Sequence, residues 1–306
     1  MRTTPLFRAK QNGGSLIVAA ALLWGTVGVT TQSLYQLSST SALSIGFFRL
    51  ALAAPLFLLA CILFYRRTWR LRRRDTLLAL LLGALVAVYQ VTYFSAIRHA
   101  GVTIAVLITL CTAPVLAALL GTVLLRERLT RVVMVALVGA LLGTGLLIGV
   151  RPGIGTDSRF IVGVLFALAS AFSYAAITIC GRLLSLEARP LEVNAVAFSV
   201  GALLLFTAAL PVGLITSYGP RSWGLLLYLG LVPTALAYLL FLVGMRHTTA
   251  TVATLITLLE PLTGAVLAWV LLGEQLAPLS LLGALLLLLS LGLLNWAPAA
   301  TVRTEP

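Results

Sequence analysis

The sequence predicts an all-α membrane protein with ten transmembrane helices in two inverted five-helix repeats and both termini in the cytoplasm. Three observations predict this class: an apolar composition, a duplicated segment and a one-sided distribution of arginine. Of the 306 residues, 60% are hydrophobic and 9% are charged, whereas soluble domains have about 45–50% apolar and 25% charged residues. A lipid bilayer can cover this much apolar surface, whereas a soluble protein of this length cannot bury it in its core.

Ten apolar runs are long enough to be transmembrane helices, which need about 20 residues to cross the hydrocarbon. Transmembrane β-strands would instead alternate apolar and polar residues. Almost no chain remains for a domain outside the membrane. The predicted spans, numbered one to ten, are 14–34, 42–65, 76–97, 102–125, 132–150, 160–181, 193–216, 223–244, 250–272 and 279–296.

Two distant segments have nearly the same sequence. Residues 114–129 read PVLAALLGTVLLRERL, and residues 261–276 read PLTGAVLAWVLLGEQL. Each copy enters an apolar helix through a proline and ends in a turn that contains a glutamate. A membrane protein that contains one unit twice is typically a transporter that opens alternately to its two sides.

This duplication divides the chain into two units, residues 1–151 and residues 152–306. Each unit contains five predicted spans. Because five is odd, the second unit enters the membrane from the face opposite to the first.

The basic residues support that orientation. Sixteen of the 21 Lys and Arg residues lie in segments that a cytoplasmic N-terminus would place inside, with the densest run at 66–74; four lie outside, and Arg49 lies within a span. Arg126 and Arg128 of the first copy correspond to Gly273 and Gln275 in the second, as expected for turns on opposite faces. We expect a bacterial inner membrane and a lipid bilayer as surroundings. The net charge of +13 does not indicate nucleic acid, because almost no chain remains for a soluble domain that could bind it.

Glu260 is the first candidate for a functional residue, because an ionisable group deep in a membrane is expensive and usually functional. It lies near the middle of span nine and shares a helix face with Thr257. Pro261 has no N–H, so we expect the carbonyl of Thr257 to lack its helical partner. Glu260 either binds a substrate amine or exchanges a proton, or else it braces neighbouring helix ends.

Arg49 is the second ionisable residue well inside a span. It could bind a substrate carboxylate or pair with Glu260 as an internal lock. The alternative is a structural role in which its charge extends to the interface.

Polar and aromatic residues recur at helical spacing inside several spans, where lipid-facing positions would be aliphatic. These stripes predict either the wall of a pocket or helix–helix packing. The candidates for pocket lining are Trp24 in span one, Tyr89, Gln90 and Tyr93 in span three, Tyr174 and Thr178 in span six, and Thr234 and Tyr238 in span eight.

Pro114 and Pro261 occupy the same position in the two copies. Prolines within spans form either fixed kinks or hinges. Their symmetric placement favours hinges.

The chain has no glycine-rich phosphate-binding motif and no metal-ligand spacing. Its three cysteines lie apart in apolar spans. We therefore expect no cofactor, no metal and no enzymatic activity. The sequence does not determine the oligomeric state and is compatible with a monomer.

The chain resembles the drug/metabolite transporter superfamily, specifically its EamA-like ten-helix members. The resemblance rests on residues 22–26 (LLWGT), on Arg49, and on the motifs around Pro114 to Glu127 and Glu260 to Glu274. It extends over residues 14–296 and implies a secondary transporter. Members export amino acids, other metabolites or drugs, and bacterial aromatic amino acid exporters have this size and layout.

The sequence thus predicts export of small metabolites, amino acids first, including aromatic or hydrophobic ones. A proton-coupled efflux pump for lipophilic cations is the alternative within the class. A channel or an integral membrane enzyme is the alternative from another class.

Overall fold

The computed structural model describes residues 13–65, 70–100, 102–127, 129–148, 158–272 and 278–293. Within these ranges the regular structure is helical and no strand occurs. The helices are α1 (Gly13–Leu37), α2 (Ala42–Tyr65), α3 (Arg73–Ala100), α4 (Val102–Leu124), α5 (Arg131–Ile148), α6 (Ser158–Glu187), α7 (Pro190–Ala209), α8 (Pro220–Gly230), α9 (Ala237–Gly244), α10 (Ala250–Ile256), α11 (Leu259–Leu272) and α12 (Pro278–Leu293). A π-helical turn (Leu231–Leu236) joins α8 to α9, and a short 3₁₀ turn (Met245–His247) follows α9.

Seven helical stretches in the described part of the chain are long and apolar enough to cross a membrane. Two of them, Pro220–His247 and Ala250–Leu271, are composed of shorter helices in series. Three shorter apolar helices, Ile108–Leu124, Arg131–Leu147 and Pro278–Leu293, accompany them. The prediction of a polytopic all-α membrane protein is confirmed at this level, and the number of ten crossings stays a prediction.

The predicted end of span seven at residue 216 is wrong. Helix α7 ends at Ala209, because Pro211 has no N–H with which to continue the helix. Gly213 then closes the turn in the left-handed region at φ 86°, and its N–H donates to the carbonyl of Ala209 at 2.8 Å. The chain runs without helix from there to Gly219.

Spans eight and nine, predicted over 223–244 and 250–272, are each interrupted. Span eight contains the π-helical turn around Pro233. Span nine is broken at Thr257 and Leu258, between α10 and α11. Prolines explain both interruptions, because a proline ring removes a hydrogen bond and displaces the carbonyl one turn before it.

The helix contacts follow the same pattern when each helix is replaced by its counterpart in the other half of the chain. The pairs α2–α7 and α5–α12 each join a helix to its counterpart. Contacts of α6 with α3 and α4 correspond to contacts of α1 with α9 and α11, and α3–α7 corresponds to α2–α8. Each half therefore completes the core of the other.

Helices α5 and α12 cross at two glycines. A Cβ atom built on Gly143 would lie 2.6 Å from the backbone nitrogen of Leu287 and 2.8 Å from the carbonyl oxygen of Gly283. Close backbone contact of this kind needs small residues, which are common where helices cross in membranes.

Candidate functional site

The helix break at Thr257 and Leu258 determines where Glu260 lies. The N–H of Leu258 donates to the carbonyl of Leu255 at 3.0 Å, and the N–H of Glu260 donates to the carbonyl of Thr257 at 2.9 Å. Both bonds span three residues, as in a 3₁₀ turn. Glu260 thus lies in the first turn of α11, near the middle of the ninth span.

The expectation of a free carbonyl at Thr257 is wrong. The helix tightens by one residue before Pro261, so the N–H of Glu260 reaches that carbonyl. The hydroxyl of Thr257 is also used, because it donates to the carbonyl of Thr254 at 2.8 Å. Thr257 therefore lines the break without offering a free backbone group.

Helix α1 packs against the first turn of α11. A Cβ atom on Gly25 would lie 2.9 Å from the carbonyl oxygen of Glu260 and 2.7 Å from the methyl carbon of Thr263. Only glycine permits this approach. The backbone of Glu260 is consequently held by α1.

The carboxylate of Glu260 has no hydrogen bond or ion pair with any residue that the structure describes. Its side chain is half-buried. It interacts electrostatically with Arg49 and with four tyrosine hydroxyls, those of Tyr89, Tyr93, Tyr174 and Tyr238. Even a half-buried carboxylate without a partner is costly within a membrane, so a group from outside the chain is the natural partner.

Aromatic rings from four helices surround this carboxylate. Trp24 of α1 lies edge-on to Tyr238 of α9, with ring centroids 5.1 Å apart. Tyr89 of α3 stacks on Tyr93 at 5.7 Å and lies 5.5 Å from Tyr174 of α6. These distances are typical of favourable aromatic pairs.

Two of these side chains have polar atoms without partners. The indole nitrogen Nε1 of Trp24 and the hydroxyl of Tyr174 are buried and make no hydrogen bond of standard geometry. The Tyr174 hydroxyl faces Thr257, whose own proton is used within its helix. Unsatisfied buried donors are rare in native structures and need an explanation.

Arg49 enters the site from α2. Its Nε donates to the hydroxyl oxygen of Thr234 at 3.2 Å, and Thr234 lies in the π-helical turn. The sequence placed Thr234 in a stripe with Tyr238 but did not indicate this contact. Pro233, in the middle of a span, was the available signal for an irregular turn there.

No described hydrogen bond joins Gln90, Thr178 or Pro114 to the carboxylate. Gln90 is buried, and its Oε1 would lie 3.5 Å from a Cβ atom on Gly46 of α2. Thr178 is fully buried and donates to the carbonyl of Tyr174 at 3.1 Å. Helix α4 continues without interruption past Pro114, whereas the second copy breaks before Pro261.

One end of the bundle is closed by polar contacts between the halves. The carboxylate of Glu127 accepts hydrogen bonds from the N–H of Ala250 at 2.7 Å and from the hydroxyl of Thr251 at 3.1 Å. The buried carboxylate of Glu192 accepts from the N–H of Arg70 at 3.2 Å. We call this the Glu127 end.

Helix packing differs on the two sides of the break in span nine. Helix α10, beside the Glu127 end, contacts α4, α1, α6 and α5, whereas α11 packs mainly on α1. The aromatic walls on α1 and α9 and on α3 and α6 are therefore joined by α10 near the Glu127 end.

Among the described residues, no group of three His, Cys, Asp or Glu could hold a metal ion. Taken together, the fold and the site define a polytopic membrane protein with a charged, aromatic-lined site between its two halves.

The EamA-like transporter family matches residues 11–149 and again residues 161–296. The chain therefore belongs to the EamA-like transporter family, and it contains the family unit twice. The resemblance read from the sequence is confirmed, and the protein is a membrane transporter.

Two relatives and one solved structure illustrate the similarity. The chain is 32% identical over 289 residues to uncharacterized transporter YwfM of Bacillus subtilis (strain 168), covering 94% of this chain and 95% of that one. It is 26% identical over 189 residues to riboflavin transporter ImpX of Fusobacterium nucleatum subsp. nucleatum, covering 58% and 61%. One crystal structure shares the fold with a TM-score of 0.81 at 18% identity, over 94% of this chain and 99% of that chain.

Proposed function

We propose that the protein is a secondary transporter that exports small zwitterionic metabolites, foremost amino acids with aromatic or hydrophobic side chains. The unpartnered carboxylate of Glu260 carries this proposal. It would bind the substrate ammonium group, Arg49 would bind the carboxylate, and the aromatic rings would contact the side chain. A zwitterion satisfies both charges at once, which neither a cation nor an anion does.

Transport would proceed by alternating access between two inverted repeats, residues 1–151 and residues 152–306, each with five of ten membrane spans. The duplicated sequence and the symmetrical helix contacts support this arrangement. Reopening of the Glu127 end would require the bonds from Glu127 to α10 to break. Pro114 and Pro261 are the proposed hinges.

We assign the Glu127 end and both termini to the cytoplasmic side of the inner membrane. The arginine-rich segments predicted to be inside contribute Glu127, Arg70 and Arg246 to one end of the bundle. Arg246 donates to the carbonyls of Ser185 and Ala188 at 2.9 and 2.7 Å. This grouping supports the positive-inside assignment.

Counterflow in proteoliposomes tests the function. Vesicles loaded with unlabelled amino acid should accumulate the labelled amino acid when they contain wild-type protein. Glu260→Gln should abolish the exchange while the protein remains folded and monodisperse in detergent. The matched control is Glu305→Gln, which makes the same Glu-to-Gln substitution at a residue outside the described ranges.

The outcomes separate the alternatives. Equal exchange by wild type and Glu260→Gln would assign Glu260 a bracing role, and uptake that unlabelled substrate does not stimulate would indicate a channel. Because one relative is named a riboflavin transporter, riboflavin belongs in the substrate panel. Its exchange in place of amino acids would overturn the proposed substrate class.

Proton-coupled efflux of lipophilic cations is the second candidate. The rings of Tyr89, Tyr174 and Tyr238 beside Glu260 favour it, because aromatic faces attract organic cations. Arg49 opposes it, since its positive charge faces the same site. Export of a lipophilic cation driven by a pH gradient, without amino acid exchange, would establish this function.

A further inference from the structure

We infer that Thr234 is a positioning residue, which orients the guanidinium of Arg49 within the π-helical turn so that it receives the carboxylate of the substrate. This inference rests on the proposed function. It concerns the recognition of one end of a zwitterion by a residue that does not itself contact the substrate.

The hydrogen bond between Arg49 and Thr234 has a defined direction. The hydroxyl of Thr234 donates its only proton to the carbonyl of Leu229 at 2.7 Å. Its oxygen can therefore only accept from the Nε of Arg49, at 3.2 Å. Thr234 is 1% exposed, so water does not compete for its hydroxyl.

Pro233 explains why the proton of Thr234 is directed to Leu229. In a regular helix the carbonyl of Leu229 would accept from the N–H of residue 233, and proline has none. The hydroxyl of the next residue satisfies this carbonyl instead. π-Helical turns within α-helices occur frequently at functional sites.

The backbone of α2 is held close to the same turn. A Cβ atom on Gly230 would lie 2.7 Å from the Cβ of Leu52 and 3.6 Å from the carbonyl oxygen of Arg49. Arg49 is thus restrained at its backbone by α8 and at its side chain by Thr234. Both restraints come from the residues around the π-helical turn.

The terminal guanidinium nitrogens of Arg49 are available to a ligand. Within the described part of the chain, Nε is the only atom of this side chain with a hydrogen bond, and the terminal nitrogens have none. Electrostatic interaction with Glu260, Tyr93 and Tyr238 places the charge at the aromatic-lined site. Terminal guanidinium nitrogens bind carboxylates in a planar, often bidentate arrangement.

Thr234→Val tests this role, because valine keeps the shape of threonine and loses the hydroxyl. The probes are labelled phenylalanine and labelled phenethylamine, which is the same molecule without the carboxylate. In counterflow, Thr234→Val should raise the KM for phenylalanine about tenfold, as expected for a lost hydrogen bond to a charged group. The KM for phenethylamine should change less than about twofold, and Thr234→Ser should restore the wild-type value.

A second set of variants covers the case in which Thr234→Val does not fold. Arg49→Gln alone should produce the same selective loss for phenylalanine. Thr234→Ala, which also removes the hydroxyl, should raise the KM for phenylalanine and leave that for phenethylamine nearly unchanged. If Thr234→Val folds, the double variant Arg49→Gln/Thr234→Val should have the same KM for phenylalanine as Arg49→Gln alone, because both substitutions remove one contact.

The results distinguish the positioning role of Thr234 from the proposed transport function. Equal KM increases for both probes, or no increase for either, would overturn the positioning role while the carrier function remains. A wild type that exchanges phenethylamine but not phenylalanine would overturn carboxylate recognition and support the cation pump. A wild type that exchanges neither probe would overturn the inference together with the proposed substrate class.

Discussion

The carboxylate of Glu127 accepts a hydrogen bond of 2.7 Å from the backbone N–H of Ala250, and this contact links the turn after α4 to the start of α10. The turn is formed by Arg126 at φ 53° and by the bond from the N–H of Glu127 to the carbonyl of Gly121 at 3.0 Å. This geometry is that of a helix C-terminal cap. The same glutamate thus ends one helix and satisfies the free N–H groups of another.

Loss of this contact should loosen the Glu127 end. Glu127→Ala leaves the N–H groups of Ala250 and Thr251 without an acceptor and should destabilise the fold by about 1 kcal/mol, as for other lost helix caps. A lower Tm than wild type, with faster labelling of a cysteine introduced at residue 250, checks both effects. Unchanged labelling would show that Glu127 does not close this end.

The crossing of α5 and α12 should tolerate no side chain at Gly143. Gly143→Ala would force a Cβ against the backbone of Leu287, so we expect a loss of about 1–3 kcal/mol in stability. Gly145→Ala on the same helix is the matched control, because a Cβ there meets no atom within 4 Å. It should be neutral or slightly stabilising. Equal Tm values for the two variants would contradict the close crossing.

Tyr174→Phe should impair transport without lowering stability. The hydroxyl of Tyr174 is buried and makes no hydrogen bond of standard geometry, so its removal should cost little stability. If this hydroxyl serves the substrate, the KM for the transported amino acid should rise several-fold, while Tm stays equal or increases. Tyr228→Phe is a useful comparison, since the Tyr228 hydroxyl donates to Thr26 at 3.0 Å and its loss should affect stability instead. A lower Tm with an unchanged KM for Tyr174→Phe would assign its hydroxyl to packing.

The two symmetric prolines should differ in effect. Pro261→Ala restores an N–H that favours a continuous helix through Thr257, which would displace Glu260. We expect it to reduce the transport rate by about tenfold or more, since small displacements in a binding site have effects of this size. Pro114→Ala should have a smaller effect, because α4 is already continuous there. Equal losses in initial-rate assays would contradict the prediction, because the helix break before Pro261 would then not distinguish the two prolines.

Several parts of the site could be predicted from the sequence. The cost of burying a charge singled out Glu260 and Arg49, and helical spacing singled out the tyrosines of α3 and α6. Spacing relates residues along one helix only, however. It could not indicate that Gln90 packs against Gly46, or that Arg49 bonds to Thr234, because those contacts join helices far apart in the chain.

The sequence by itself determined that this is a helical membrane protein containing one unit twice, because composition and duplication are properties of the chain alone. The tertiary structure decided how the same proline acts in the two copies: α4 passes Pro114 unbroken, while the helix before Pro261 divides. It also decided which polar groups find partners. Those outcomes depend on neighbouring helices, which can satisfy a displaced backbone group or leave a carboxylate such as that of Glu260 without a partner.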